Sequence, residues 1–211
     1  MQSFRQSFKE QMPLYVFVAV LFLVGVLFGA LMVNALSLEQ QQDLSSYLDH
    51  FFLTVHEGDG EAGATFGSVA ALHLKWIGLI WILGLSVIGL PGILILDFLK
   101  GVLVGFTVGY LVGQYSWKGL LFALVSIAPQ NMIVIPVLMI SSVAAITFSL
   151  YIIKNRLLAQ HSGSVMKPFT SYVGLTFVMI LLMLGISTFE TWITPSMMRW
   201  VAPMLLSASG V

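Results

Sequence analysis

The sequence predicts an all-α, polytopic integral membrane helix bundle, and three observations carry that reading. Of the 211 residues, 58% are hydrophobic and only 9% are charged, whereas a soluble domain carries about 25% charged residues. Mean hydropathy is +0.98, so hydrocarbon rather than water must face most side chains. Five apolar segments are long enough to cross a bilayer, since a helix rising about 1.5 Å per residue needs roughly 20 residues for a core of about 30 Å.

The first segment, Leu14–Leu36, has no charge. It is too long for the apolar part of a signal peptide, roughly 7–15 residues, and reads as a retained first helix. Glu39–Glu57 follows it without a clear break. There Leu44, Tyr47, Leu48, Phe51, Phe52 and Val55 fall at helical spacing, which makes one apolar stripe on an external amphipathic helix. Such a helix either lies in the interface and caps the bundle, or docks an extracytoplasmic partner. The acidic, glycine-containing stretch Glu57–Glu61 reads as a loop, and residues 39–70 form the external region.

The second segment is Ile77–Leu96, with Gly89, Pro91 and Gly92 expected to bend it. The third is Phe98–Trp117. It carries Gly101, Gly105, Gly109 and Gly113, a face without side chains that admits a neighbouring backbone. Gly25 and Gly29 repeat the pattern on the first helix. The partner of this face is either a helix of the same chain or one of another subunit. The fourth segment, Gly119–Ile153, has 35 residues and would make a rod of about 52 Å. It holds Pro129, Gln130, Asn131 and Pro136. Proline lacks the backbone donor and clashes one turn back, so a break near Ala128–Asn131 is expected. The fifth segment is Tyr172–Ile193. Residues 1–206 read as one membrane domain, and Ser207–Val211 as an appended tail.

Basic residues orient the bundle. Arg5, Lys9, Lys100, Lys154, Arg156 and Lys167 fall on one side of the five crossings, and Lys75, Lys118 and Arg199 on the other. The amino terminus is therefore expected in the cytoplasm.

Nine basic and nine acidic residues give zero net charge, which argues against nucleic-acid binding. The absence of cysteine excludes disulfides, thiolate catalysis and iron–sulfur ligation. His50 and His56 lie six apart, off the four-residue spacing of helical metal ligands. His73 and Lys75 read as an interfacial anchor, and His161 as a solvated loop residue. Asp97 is placed to pair with Lys100 three residues on. Glu190 reads as interfacial, with Arg199 its nearest basic residue in sequence. No catalytic set, metal site or cofactor site emerges. The helix break has two readings, a structural kink or an ion or substrate site of a small-solute transporter or channel.

Three stretches carry a family resemblance: MPLYVFVAVLFLVGVLFGALMVNAL (Met12–Leu36), GLSVIGLPGILILDFLKGVLVGFTVGY (Gly84–Tyr110) and LVSIAPQNMIVIP (Leu124–Pro136). The chain resembles the stage II sporulation protein M family of endospore-forming bacteria over nearly its whole length. The resemblance implies a non-enzymatic scaffold in the mother-cell membrane during engulfment. Its partners would be two peptidoglycan hydrolases, stage II sporulation proteins D and P, alongside membrane lipids and possible further copies of the chain. Wider relatives carry a pattern of roughly PHGxxExP, and the matching positions here are Gln130, Asn131 and Val134. That departure removes the groups that proton or metal chemistry would need.

Overall fold

The computed structural model describes residues 2–57, 65–86, 89–157 and 166–209, with side chains over 11–54, 65–86, 89–155 and 166–201. Asp59, Glu61, His161 and the last two residues of the tail lie outside the described residues. The elements are α1 (Gln2–Met32, followed by a 3-10 turn at Val33–Ala35), α2 (Leu38–Glu57), α3 (Phe66–Leu85), α4 (Gly89–Ser126), α5 (Ala128–Ile152, running into a π-turn at Ile153–Leu157), α6 (Met166–Trp192) and α7 (Thr194–Ser209). Five helical stretches are long and apolar enough to cross a membrane. The chain is thus an all-α polytopic bundle.

The closest helix contact joins α1 to α4, and it is made by the glycines. A side chain at Gly25 would strike the Phe98 carbonyl, and one at Gly29 the Val102 carbonyl. From the other side, Gly101 lies against Phe22, Gly105 against Val26 and Gly109 against Ala30. The register advances in step along both helices, so α1 and α4 run parallel. Gly113 is looser, with the Val33 side chain 4.0 Å away. The glycine face of the third predicted segment is therefore filled by a helix of the same chain. The outer side of α1 keeps Val16, Leu23, Leu27 and Leu31 exposed, as expected of a lipid-facing surface.

The second predicted segment is not one bent helix. The chain turns at Ser86, where the Gly89 amide donates to the Ser86 carbonyl at 3.1 Å, and α4 begins. Gly89 has the Leu83 carbonyl where a Cβ would sit, so glycine is required for the tight return. Pro91 occupies the first turn of α4, where its missing N–H costs nothing. Hydropathy missed the turn because its flanks are apolar on both sides. The Ser149 hydroxyl donates to the Ser86 carbonyl at 3.0 Å and ties α5 to this turn.

At the other end α4 reverses. Ser116 adopts φ 50° and ψ −128°, a left-handed conformation that favours glycine. The limb beyond it folds back, with Gly119 against the Leu111 carbonyl. This limb and α5 together are the long fourth segment. The expected break falls at Ile127, just ahead of Pro129, and α5 then continues through Pro136. Hydrogen bonding persists across the bend: the Ile127 amide donates to Ala123 at 2.9 Å and the Asn131 amide to Ile127 at 3.2 Å. Inside the bundle, α5 packs on α1, α3, α4 and α6. Val134, Val143 and Met183 are among its fully buried neighbours and core residues, with Ile77, Ile80 and Ile93 from α3 and α4.

Two outcomes follow from this packing. Gly105→Leu should lower the thermal midpoint in detergent by an amount equivalent to about 1–3 kcal/mol or abolish folding, whereas Gly174→Ala, which meets nothing within 4 Å, should be neutral or stabilising. Ser116→Gly should stabilise by about 1 kcal/mol; an unchanged or lower midpoint would count against a strained reversal.

Candidate functional site

Two features stand apart from simple apolar packing. One is a cap of two amphipathic helices at the end of the bundle opposite the amino terminus. The other is a layer of charged and polar side chains inside the bundle.

The cap starts from a sequence signal that hydropathy does not reveal. Ser37 and Gln40 form a reciprocal capping box: the Gln40 amide donates to Ser37 Oγ at 3.3 Å and the Ser37 amide to Gln40 Oε1 at 3.0 Å. The chain therefore breaks at Leu36–Ser37, and α2 is a separate helix rather than a run-on of α1. The S-x-x-Q spacing at 37–40 was enough to find that boundary.

Tyrosines of α4 then pin α2. The Tyr110 hydroxyl donates to the Gln41 carbonyl at 3.1 Å and the Tyr115 hydroxyl to Asp49 Oδ1 at 3.0 Å. Phe52 is 1% exposed. Its ring meets Tyr115 and Phe122 edge-on, with centroids 5.7 and 5.0 Å away, a geometry worth about 0.5–1.5 kcal/mol per pair beyond burial. Val201 and Met198 of α7 close the same cluster, with Leu48 and Phe51 packed at its edge. Of the predicted docking stripe, Phe52 is thus buried, Leu44, Leu48 and Phe51 are half-buried, and Tyr47 remains 69% exposed. The Val55 side chain lies outside the described residues. The outer surface of α7 carries Trp200, 84% exposed.

The polar layer draws on four helices. His73 of α3, expected as an interfacial anchor, is buried, and its Nε2 lies 2.9 Å from Glu190 Oε2 of α6. Glu190 is therefore not merely interfacial: its partner is His73 of α3. Lys100 does not pair with Asp97 as the spacing suggested. Its ammonium lies 5.5 Å from the centroid of Trp76, one turn beyond His73, within electrostatic reach of Glu190. A cation over an indole face is held by the ring quadrupole. Lys100 also sits within α4 and leaves the loop tally of basic residues. The five that remain on the amino-terminal side, Arg5, Lys9, Lys154, Arg156 and Lys167, still outnumber those opposite.

Asp97 turns instead toward α5. The Ser142 hydroxyl donates to Asp97 Oδ1 at 2.7 Å. Asp97 is 5% exposed, and its Oδ2 is buried without a hydrogen-bond partner. Such a carboxyl is costly in an apolar interior unless neutralised or solvated. Positions 97 and 100 lie only about 60° apart around α4, so spacing alone did not separate them; the neighbouring helices did, with Ser142 of α5 taking Asp97 and Trp76 of α3 taking Lys100.

At the bend, Asn131 Nδ2 donates to the Ile127 carbonyl at 2.9 Å, the same carbonyl that accepts the Asn131 amide. Gln130 Oε1 is buried without a partner. The adjoining recess, about 280 Å³, is lined almost wholly by apolar side chains such as Val104, Leu120 and Ile135, with Asn131 among them. Among the described residues, no three of His, Asp and Glu gather where they would hold a metal ion.

Replacing His73 by Phe leaves the Glu190 carboxylate without its imidazole and should destabilise the protein by about 1–3 kcal/mol. Glu190→Gln, which keeps a hydrogen-bonding group opposite the ring, should cost less. A double-mutant cycle in detergent unfolding checks the pair, and additive effects would show that the two residues are not coupled.

Residues 18–195 match the family model described as SpoIIM, Stage II sporulation protein M. The matched region runs from within α1 to the first turn of α7 and takes in the glycine contact, the α2 segment, the polar layer and the bend. No curated protein and no solved structure matches the chain. With well over half of its length within the family pattern, the chain belongs to the stage II sporulation protein M family, and is a sporulation-related multi-pass membrane protein.

Proposed function

We propose that the protein is a non-enzymatic membrane scaffold of the engulfment machinery, which anchors and localises peptidoglycan hydrolases, the stage II sporulation proteins D and P, in the mother-cell membrane around the forespore. The observation that carries this reading is the cap. Of the two amphipathic helices, α7 packs on α4 and α2 packs on α7, with Phe52, Tyr110 and Tyr115 joining α2 to α4, while Tyr47 and Trp200 are exposed. A preordered surface binds a partner without having to order itself first, and exposed Tyr and Trp are the residue types that dominate interface energetics.

On this reading the amino terminus is cytoplasmic and the cap extracytoplasmic, where the hydrolases reach the wall. The excess of basic residues at the amino-terminal end supports that orientation. The glycine face of α4 is occupied by α1, so partner membrane anchors would use other helix surfaces. The docking surface is likewise narrowed from the whole apolar stripe of α2 to its outward side and to α7.

A second reading, a small-solute or ion transporter built on the bent α5, draws on the unpartnered Gln130 Oε1 and Asp97 Oδ2. The hydrogen bonds that continue through the bend and the apolar recess beside it favour a structural kink.

Surface substitutions test the scaffold better than deleting Asp43–Val55, which would remove Phe52 from the cap core. Tyr47→Glu with Trp200→Ser should leave membrane insertion and detergent stability intact and reduce co-purification of the hydrolases from sporulating cells at least several-fold. Undiminished co-purification would sink the docking surface. Single cysteines placed at Gln130 and Asn131 in this cysteine-free chain should resist aqueous maleimide, and rapid labelling would favour the transporter.

A further inference from the structure

At the amino-terminal end of the bundle, α1 packs on α4 and α5, whereas α6 packs on α3, α5 and α7. The gap between α1 and α6 is floored by α5. It holds two adjoining recesses of about 260 and 650 Å³ that share Gln11, Thr147 and Tyr151. Their walls combine polar and apolar groups. Gln11, Tyr15, Thr147, Tyr151 and Ser171 supply amide and hydroxyl groups, and Lys154 adds a cation. Pro13, Leu14, Phe17 and Leu150 supply an apolar wall. Phe17 and Leu150 are also exposed on the outer surface, so the larger recess opens sideways, where acyl chains lie. No acidic residue lines either recess.

From this juxtaposition we infer that the α1–α5–α6 recess is a binding site for one anionic glycerophospholipid. A lateral opening with an apolar wall admits an acyl chain. The amide and hydroxyls offer hydrogen-bonding groups to a glycerol and ester region. The Lys154 ammonium, at the end of its flexible stem, meets the phosphate. Tyrosines at this level match the preference of amphipathic rings for the headgroup zone. The bound lipid would bridge α1 and α6, two helices that otherwise meet through α5.

The test uses the full chain, delipidated in a zwitterionic detergent, with thermal unfolding followed as lipid is titrated. Phosphatidylglycerol should raise the midpoint by several degrees and saturate near one lipid per chain, while phosphatidylcholine and inorganic phosphate should shift it far less. Lys154→Glu, a change at an exposed side chain, should weaken the apparent affinity for phosphatidylglycerol about tenfold without altering the lipid-free midpoint. Thr147→Trp, which fills the shared floor, should abolish the shift. Equal shifts with phosphatidylglycerol and phosphatidylcholine, or an undiminished phosphatidylglycerol shift in Lys154→Glu, would overturn the site. If Thr147→Trp does not fold, the Lys154 comparison decides the matter alone.

Discussion

The backbone-to-backbone contact between α1 and α4 is the constraint from which the remaining architecture follows. In a bilayer the hydrophobic effect does not drive helices together, because lipid tails are as apolar as leucine. Association has to come from close approach, and Gly25, Gly29, Gly101, Gly105 and Gly109 provide it on both surfaces at once. The two helices run parallel, so the chain must return between them. That return is α3, joined to α4 by the tight turn at Ser86–Gly89. The long stretch between α1 and α3 is thereby left at the far end, where α2 becomes available as a cap.

The far end is built by the reversal at Ser116. Folding the last limb of α4 back on the first brings Tyr115 and Phe122 onto the same side and creates the aromatic seat for Phe52. It also delivers the chain to Ile127 from a direction that lets α5 run down the middle of the bundle. The reversal and the bend at Ile127 ahead of Pro129 together set the course of α5. The side-chain contacts that join α2, α4 and α7 fit the cap's proposed role as a holding surface, since elements without such contacts would have to be ordered at the expense of binding free energy.

The polar layer answers a different need. A lone charge inside a membrane protein is expensive, and such residues characteristically pair within the bundle. Here His73, Glu190, Lys100 and Trp76 share their electrostatics across α3, α4 and α6. Breaking a buried pair costs more than an apolar replacement of both partners. These contacts therefore penalise alternative helix rotations, and they specify which faces meet. Asp97 with Ser142 adds a similar constraint between α4 and α5, but leaves one oxygen unmatched.

Hydropathy and length in the sequence determined the membrane class, the five crossings and the interval in which α5 is bent, because bilayer thickness imposes a length on every crossing. Glycine spacing marked the faces that pack closely, and the period of the α2 stripe marked its amphipathic character. The turn at Ser86–Gly89 escaped because hydropathy cannot register a reversal flanked by apolar residues, and the start of α2 was written only in the short-range Ser37–Gln40 box. Tertiary structure alone decided partners. It assigned the glycine face to α1, turned Phe52 inward and Tyr47 outward, and separated Asp97 from Lys100. A side chain's partner depends on helix rotation and neighbour identity, and those emerge only when all the faces compete for contact at once.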